Sequence, residues 1–390
     1  MKKTNSSLLN ASEKWRRYCL YPDALEYGNK VELLVDGAEA FRAMIEAIKD
    51  AKQTILMDSY IFNDDTTGKK FAAAIMSRAS AGIETYLVVD AIGTINVPGT
   101  FFSKMEHAGV KVLEYRPVFP WRRGWGIFRR NHRKVLVVDG KTGFVGGINI
   151  GDEWAPKKNG GLGWHDIHVR IEGPSVRELA KLERATWSVH GNVILDQRRF
   201  LPDVNAAGDT FVSIVGSRER RKRKAIRNSY LHAIKRASNY IYIANAYFIP
   251  GSGFRRALRN AVKRGVDVRV MVPAKSDITS VQMASQALYG RLMRNGVRLF
   301  LWNDAVLHAK TAVIDDSWCT VGSFNIDRRS WEMNLEVNVN VVGEKFALKL
   351  RQVFEKDQHS CTELSRKHWR QRPWLQRLTE RFFYLFKRLM

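Results

Sequence analysis

Two sets of residues along this chain share one spacing. His132, Lys134 and Asp139 are followed by Gly146, Gly147 and Asn149, and His308, Lys310 and Asp315 are followed by Gly322, Ser323 and Asn325. Each member of the second set lies 176 residues after its counterpart. One such pattern would match by chance on any strand with a polar start, but two copies in register through a glycine and an asparagine are specific. A neutral imidazole can attack phosphorus, an ammonium can neutralise phosphoryl oxygens, and an amide can donate a further hydrogen bond. If the two sets faced one another, one side would supply a nucleophile and the other a proton donor.

The elements that must position these groups are strands. The apolar run Val135–Val138 follows the first histidine and lysine, and 311–314 (TAVI) follows the second pair. Alternation along a strand points His132 and Lys134 to one face, and His308 and Lys310 likewise. The repeat extends further. In the first half, VELLVDG from Val31 reads as a strand, AEAFRAMIEAIKDA as an amphipathic helix and TILMDSYIF as a buried strand, with another helix, strand, helix and strand following. In the second half FVSIVG, a helix over Ala225–Ala237, NYIYIANAYF, GFRRALRNAVKRG and VDVRVMVP replay that order. This alternation predicts an α/β fold of two pseudo-twofold-related α/β/α halves, each a mixed, mostly parallel sheet flanked by helices, with the site at the seam. Between matched glycines and histidines the first half carries 11 extra residues, which places an insertion at 116–130.

With 390 residues the chain can bury large cores. Its net charge of +25 calls for a polyanionic partner, either nucleic acid or a surface of acidic lipid. Three widely spaced cysteines indicate neither a disulfide framework nor a cysteine metal site. No run of 18 apolar residues occurs, so membrane association is expected to be peripheral.

The duplicated motif, HxKx₄Dx₆G[GS]xN, resembles that of the phospholipase D superfamily over roughly residues 31–344, and within it the bacterial cardiolipin synthases that lack N-terminal membrane-spanning helices. The stretches IANAYFIPG, RIEGP and NLEV support this. The resemblance implies a catalytic set of His132, Lys134, Asp139, His308, Lys310 and Asp315, with Asn149 and Asn325 binding phosphate. One histidine would form a covalent phosphohistidine and the other would act as acid and base. The resemblance suggests His132 as nucleophile, while the symmetry of the motifs leaves the assignment open. It also implies an orienting carboxylate some way beyond each histidine. Asp166, 34 residues after His132, and Glu336, 28 after His308, fit that place. Asp139 and Asp315 sit five residues beyond the lysines, too far along the strand to join the cluster, and are expected to anchor the following loop. His165 and His168 read as surface or packing residues. No metal or other cofactor is expected, because the lysines supply the charge a divalent ion would give.

The expected organisation is an arm over 1–30, repeats over 31–205 and 206–360, and a basic amphipathic tail over 361–390. The insertion RPVFPWRRGWGIFRR mixes aromatics with five arginines, which suits a lipid interface, and Trp121, Trp125 and Phe128 are expected to touch membrane. The tail repeats apolar residues at helical spacing, so Trp374, Phe382 and Phe386 are expected there too. A second basic stretch, 217–227, reads as the solvated start of a helix. The expected substrate is phosphatidylglycerol in an anionic phospholipid membrane, at the cytoplasmic face of a bacterial cell, with no nucleic-acid partner. Lipid hydrolysis would use the same residues. A nuclease would suit the charge, but the aromatic insertion and tail fit lipid better than a base-stacking groove.

Overall fold

The computed structural model describes residues 15–122, 124–217 and 224–387. Residues 1–14 of the expected arm, Arg123, the basic stretch 218–223, and 388–390 of the tail lie outside the described residues. The first half runs β1 (Glu26–Val35), α1 (Asp36–Asp50), β2 (Thr54–Ser59), α2 (Thr66–Ser80), β3 (Glu84–Asp90), α3 (Gly99–His107), β4 (Lys111–Tyr115), β5 (Lys134–Val138), β6 (Thr142–Gly146), β7 (Ile167–Glu172) and α4 (Val176–Thr186). The second runs β8 (Thr210–Gly216), α5 (Ala225–Arg236), β9 (Tyr240–Asn245), α6 (Ser252–Lys263), β10 (Asp267–Pro273), α7 (Thr279–Arg294), β11 (Arg298–Trp302), β12 (Lys310–Ile314), β13 (Trp318–Gly322), β14 (Val337–Val342) and α8 (Glu344–Gln358). Strand β15 (Cys361–Glu363) and helix α9 (Trp374–Leu385) follow.

These strands form one sheet in the order β15-β11-β10-β9-β12-β13-β14-β8-β1-β7-β6-β5-β2-β3-β4. Read outward from the β1–β8 junction, both halves repeat the same order, which is the pseudo-twofold relation expected from the repeat. The junction is antiparallel, through Glu26 opposite Val212 and Asn29 opposite Thr210. Among the described strands, β2–β3, β3–β4, β9–β10 and β10–β11 pair in parallel, and the other neighbours are antiparallel. The sheets are therefore mixed, but not mostly parallel. Helical crossovers end at β4 and β11, and a tight turn joins each motif strand to the next, which permits only an antiparallel hairpin.

Three apolar layers hold this together. Helices α1 to α3 cover one face of the first half, and α5 to α7 cover the equivalent face of the second. A shared central layer joins the inner faces of both halves. Val135, Val137 and Val169 from one half, and Val313, Val321 and Val339 from the other, pack there with Leu179 and Leu182 of α4 and Leu350 and Phe354 of α8. Burying both halves against one layer fixes the seam to which the motif strands run.

Several boundaries move. β1 begins at Glu26, five residues before the expected strand, and Tyr18 of the arm is buried, with its hydroxyl 2.8 Å from Asp315. The segment placed at the start of the tail, Cys361–Glu363, is instead a strand paired with β11. Asp139 and Asp315 lie at the end of β5 and β12 away from the lysines, and they hold the preceding turns of neighbouring strands rather than the following loops. Asp139 accepts from the backbone N–H groups of Lys52, Gln53 and Thr54 at 2.8–2.9 Å, and Asp315 from those of Ser238, Asn239 and Tyr240 at 2.7–2.8 Å. Both aspartates adopt left-handed backbone (φ 52° and 51°), a conformation this short polar side chain tolerates. This corrects their place in a catalytic set: neither reaches the cavity. Asp315→Ala should lower stability by about 2 kcal/mol, seen as a lower midpoint of thermal unfolding, while folded protein keeps its turnover number. An unchanged midpoint with lost turnover would contradict this structural role.

Candidate active site

The two halves exchange segments at the seam. Asn131 bridges Leu335 in parallel, and Leu307 bridges His165, so the residue before each motif histidine pairs with the residue before a carboxylate of the opposite half. The N–H of His132 donates to the Leu335 carbonyl at 2.9 Å, and the N–H of His308 donates to the His165 carbonyl at 2.7 Å. The carboxylates are consequently crossed. Glu336 Oε2 lies 3.1 Å from His132 Nδ1, and Asp166 Oδ2 lies 2.6 Å from His308 Nδ1. Each orienting group therefore serves the histidine of the other half.

Holding Nδ1–H against a carboxylate leaves Nε2 with its lone pair for chemistry. His132 and His308 line one cavity of about 290 Å³, together with Asn149 and Asn325. Lys134 Nζ donates to the His132 carbonyl at 2.8 Å, and Lys310 Nζ is 2.9 Å from His308 Nδ1 and also donates to the His308 carbonyl. Asn149 Oδ1 accepts from the Ile61 N–H at 3.1 Å, which turns its amino group elsewhere, and Asn325 Oδ1 is buried without a partner. Among the described residues no cluster of His, Cys, Asp or Glu is arranged to hold a metal ion.

The glycine-rich step of the motif has a steric reason. A Cβ on Gly147 would lie 2.2 Å from Asp166 Oδ1. In the second copy Ser323 stands at this position and donates its hydroxyl to Glu336 Oε2 at 2.5 Å. Asp166 instead takes the Trp154 indole N–H at 3.2 Å and the Ile167 N–H at 2.8 Å. The two carboxylates are thus supported by different partners.

Burial dominates the electrostatics. It lowers His132 to about 4 against the pull of Glu336, and burial with the Lys310 ammonium lowers His308 well below the ordinary imidazole range. These shifts favour the neutral form of both rings at neutral pH. Burial also lowers Lys134 to about 7 and Lys310 to about 8, although Glu336 and Asp166 oppose it. A bound diester anion between these groups favours their charged forms.

Several lining residues carried no assignment from sequence. Tyr60 stands edge-on to His132 with centroids 5.0 Å apart, and Trp154 does the same to His308 at 5.2 Å. Tyr247 donates to Asp277 at 2.5 Å, and Trp164, Asp327 and Arg329 also line the cavity. Tyr60 and Tyr247 fall in matched stretches of the repeat, which was the available signal. The tryptophans gave a weaker signal: Trp154 follows Asn149 by five residues and Trp331 follows Asn325 by six, out of register, and Trp164 has no counterpart. His165 and His168, read as surface or packing residues, are both buried. His165 lies between Asp36 (2.8 Å) and Asp357 (2.9 Å), stacked on Trp302. Burial opposes its charge, but the two carboxylates outweigh it and raise it to about 10.

The fold and this paired site define a member of the phospholipase D superfamily. More narrowly, the chain belongs to the family described as cardiolipin synthase, PLD-like domain, which matches residues 44–171 and 230–358. It is 35% identical over 338 residues to a cardiolipin synthase of Listeria innocua serovar 6a, covering 85% of this chain and 70% of the relative. It is 32% identical over 366 residues to cardiolipin synthase A of Pseudomonas entomophila, covering 93% and 75%. The fold is also that of a phosphatidylserine synthase from Haemophilus influenzae Rd KW20, with a TM-score of 0.72, 14% identity and all of both chains covered.

Two outcomes follow from this geometry. Gly147→Ala should displace the Asp166 carboxylate and reduce kcat by about 100-fold without unfolding the protein, and wild-type kcat would contradict the steric reading. If the lysine ammonium groups hold an anionic substrate, kcat/KM should fall as pH rises through about 7 to 8, where they lose their protons, and should fall again below about 4 as His132 gains one. A flat profile between pH 6 and 9 would contradict it.

Proposed function

We propose that this chain is a cardiolipin synthase that transfers a phosphatidyl group from phosphatidylglycerol to a second phosphatidylglycerol and releases glycerol. The observation that carries this reading is the pair of buried imidazoles, each oriented by a carboxylate of the opposite half, on one small cavity. Nε2 of neutral His132 attacks phosphorus, and the bond to the glycerol oxygen breaks as His308, held as the imidazolium by the bound diester anion and Asp166, delivers its Nε2 proton to that oxygen. The primary hydroxyl of the second lipid then returns a proton to His308 and attacks phosphorus, and the P–N bond breaks. Lys134, Lys310, Asn149 and Asn325 hold the phosphoryl oxygens, and Asp166 and Glu336 steady the imidazolium that forms in each step.

Transfer requires that water be kept from the phosphohistidine, and a membrane-apposed entrance serves this. Trp121 is 79% exposed and stacked on Phe119, and Trp125 and Phe128 are exposed beside it. In the tail, α9 docks on α7 through buried Glu380 and through Phe383 and Tyr384, while Trp374, Phe382 and Phe386 face outward with Leu375, Leu378 and Leu385. Among the described residues no helix is long and apolar enough to cross a membrane. These exposed groups support peripheral attachment to an anionic bacterial membrane, which we place at its cytoplasmic face.

Purified protein incubated with phosphatidylglycerol vesicles, with and without phosphatidylethanolamine, should yield cardiolipin and glycerol, identified by mass spectrometry. Phosphatidic acid as the sole product would instead make it a hydrolase. His132→Ala and His308→Ala should each reduce turnover by about 1,000-fold or more while vesicle binding persists, and substantial activity in either would refute the paired-imidazole mechanism.

A further inference from the structure

Away from the cavity, the α6 and α7 helices enclose an open groove of about 560 Å³ lined by Arg255, Arg256, Arg259, Arg291 and Arg294 with Ser252 and Asn295. Arg256, Arg259, Arg291 and Arg294 are exposed, and Arg255 is half-buried and donates to the Pro250 carbonyl. No ion pair joins any of the five to an acid among the described residues. The lining includes no carboxylate. Like charges one turn apart on a helix oppose folding, as Arg255 and Arg259 do, so this arrangement lowers stability unless an anion occupies it. Guanidinium groups on two helices match the oxygens of phosphate esters better than an ammonium would.

The groove's neighbour indicates which phosphate ester. Helix α7 forms one wall of the groove and also carries α9, with Tyr289 of α7 against Trp369 just ahead of α9 at 5.4 Å. The outward apolar face of α9 and the arginines therefore flank the same helix, and an apolar stripe beside a cationic one is the pattern of a surface that rests at a lipid interface. The N-terminal end of α7 contributes Val281 to the catalytic cavity, so the arginines at its other end lie about 20 Å along the helix from the chemistry.

We infer that this arginine groove is a second anion site, which binds headgroup phosphates of anionic phospholipid at the bilayer surface and lays α7 along the membrane with the catalytic cavity at its end. The inference rests on the membrane reading above, but it is tested by binding and does not depend on which lipid product forms. The variant replaces four exposed arginines: Arg256→Gln, Arg259→Gln, Arg291→Gln and Arg294→Gln. Its binding to neutral vesicles containing about one third phosphatidylglycerol should weaken tenfold or more at ~0.1 M salt, and the difference should vanish near ~0.5 M salt, where the charges are screened. Binding to wholly neutral vesicles, and turnover of short-chain phosphatidylglycerol below its micelle concentration, should remain at wild-type levels, which also reports that the variant is folded. Wild-type affinity for the anionic vesicles would overturn the inference, as would an equal loss on neutral vesicles. So would release of the wild type by inorganic phosphate at about 10 mM, which would mark a site for free phosphate, or unchanged vesicle binding with lost affinity for duplex DNA.

Discussion

The structure depends on a crossed constraint: each motif imidazole is held against a carboxylate from the other half. A short parallel bridge enforces each crossing, Asn131 with Leu335 and Leu307 with His165, and a motif histidine or its facing carboxylate follows directly after each bridging residue. Neither half can complete its own site. The central apolar layer therefore bears on the site, because sliding one half past the other would separate both imidazoles from their partners at once.

Inside the seam two lysine amines, lowered by burial to about 7 and about 8, face two carboxylates, and burial lowers both imidazoles as well. Separating such charges from water is costly unless each is paired and hydrogen-bonded, and the neighbouring backbone carbonyls, Ser323 and Trp154 supply those bonds. A phosphodiester adds one negative charge and draws the lysines towards their protonated forms. The halves are not electrically identical. His165 stands where the other half has Leu335, and it ties Asp36 of α1 to Asp357 of α8 beside the His308 strand. On the His132 side, Arg130 is buried against Asp90 instead, and it fixes the exit of the aromatic insertion through the Gly126 and Arg116 carbonyls.

The motifs were legible in sequence because duplication turned a weak pattern into a specific one, and Asp166 and Glu336 were found by the place the resemblance gives them. The crossing was not legible, since distance along the chain says nothing about which histidine a carboxylate faces across a seam. The balance of parallel and antiparallel pairing was misread for a related reason. Helices between strands announce crossovers in the first part of each half, whereas the hairpins that follow, as at Asp139-Gly140, carry only a turn signal. Asp139 and Asp315 belong to the motif pattern but work at the far end of the strand, so spacing alone could assign them to the motif and not to a task. The arginine groove escaped notice because its residues are about 35 positions apart in sequence and converge only when α6 and α7 pack on one sheet face.

The crossed pairing can be read directly from imidazole nitrogen chemical shifts in protein labelled at histidine with nitrogen-15. The account predicts that Glu336→Gln moves Nδ1 of His132 and leaves His308 in place, and that Asp166→Asn does the reverse. If each substitution instead moved the histidine of its own half, the exchange across the seam, and the mechanism built on it, would be wrong.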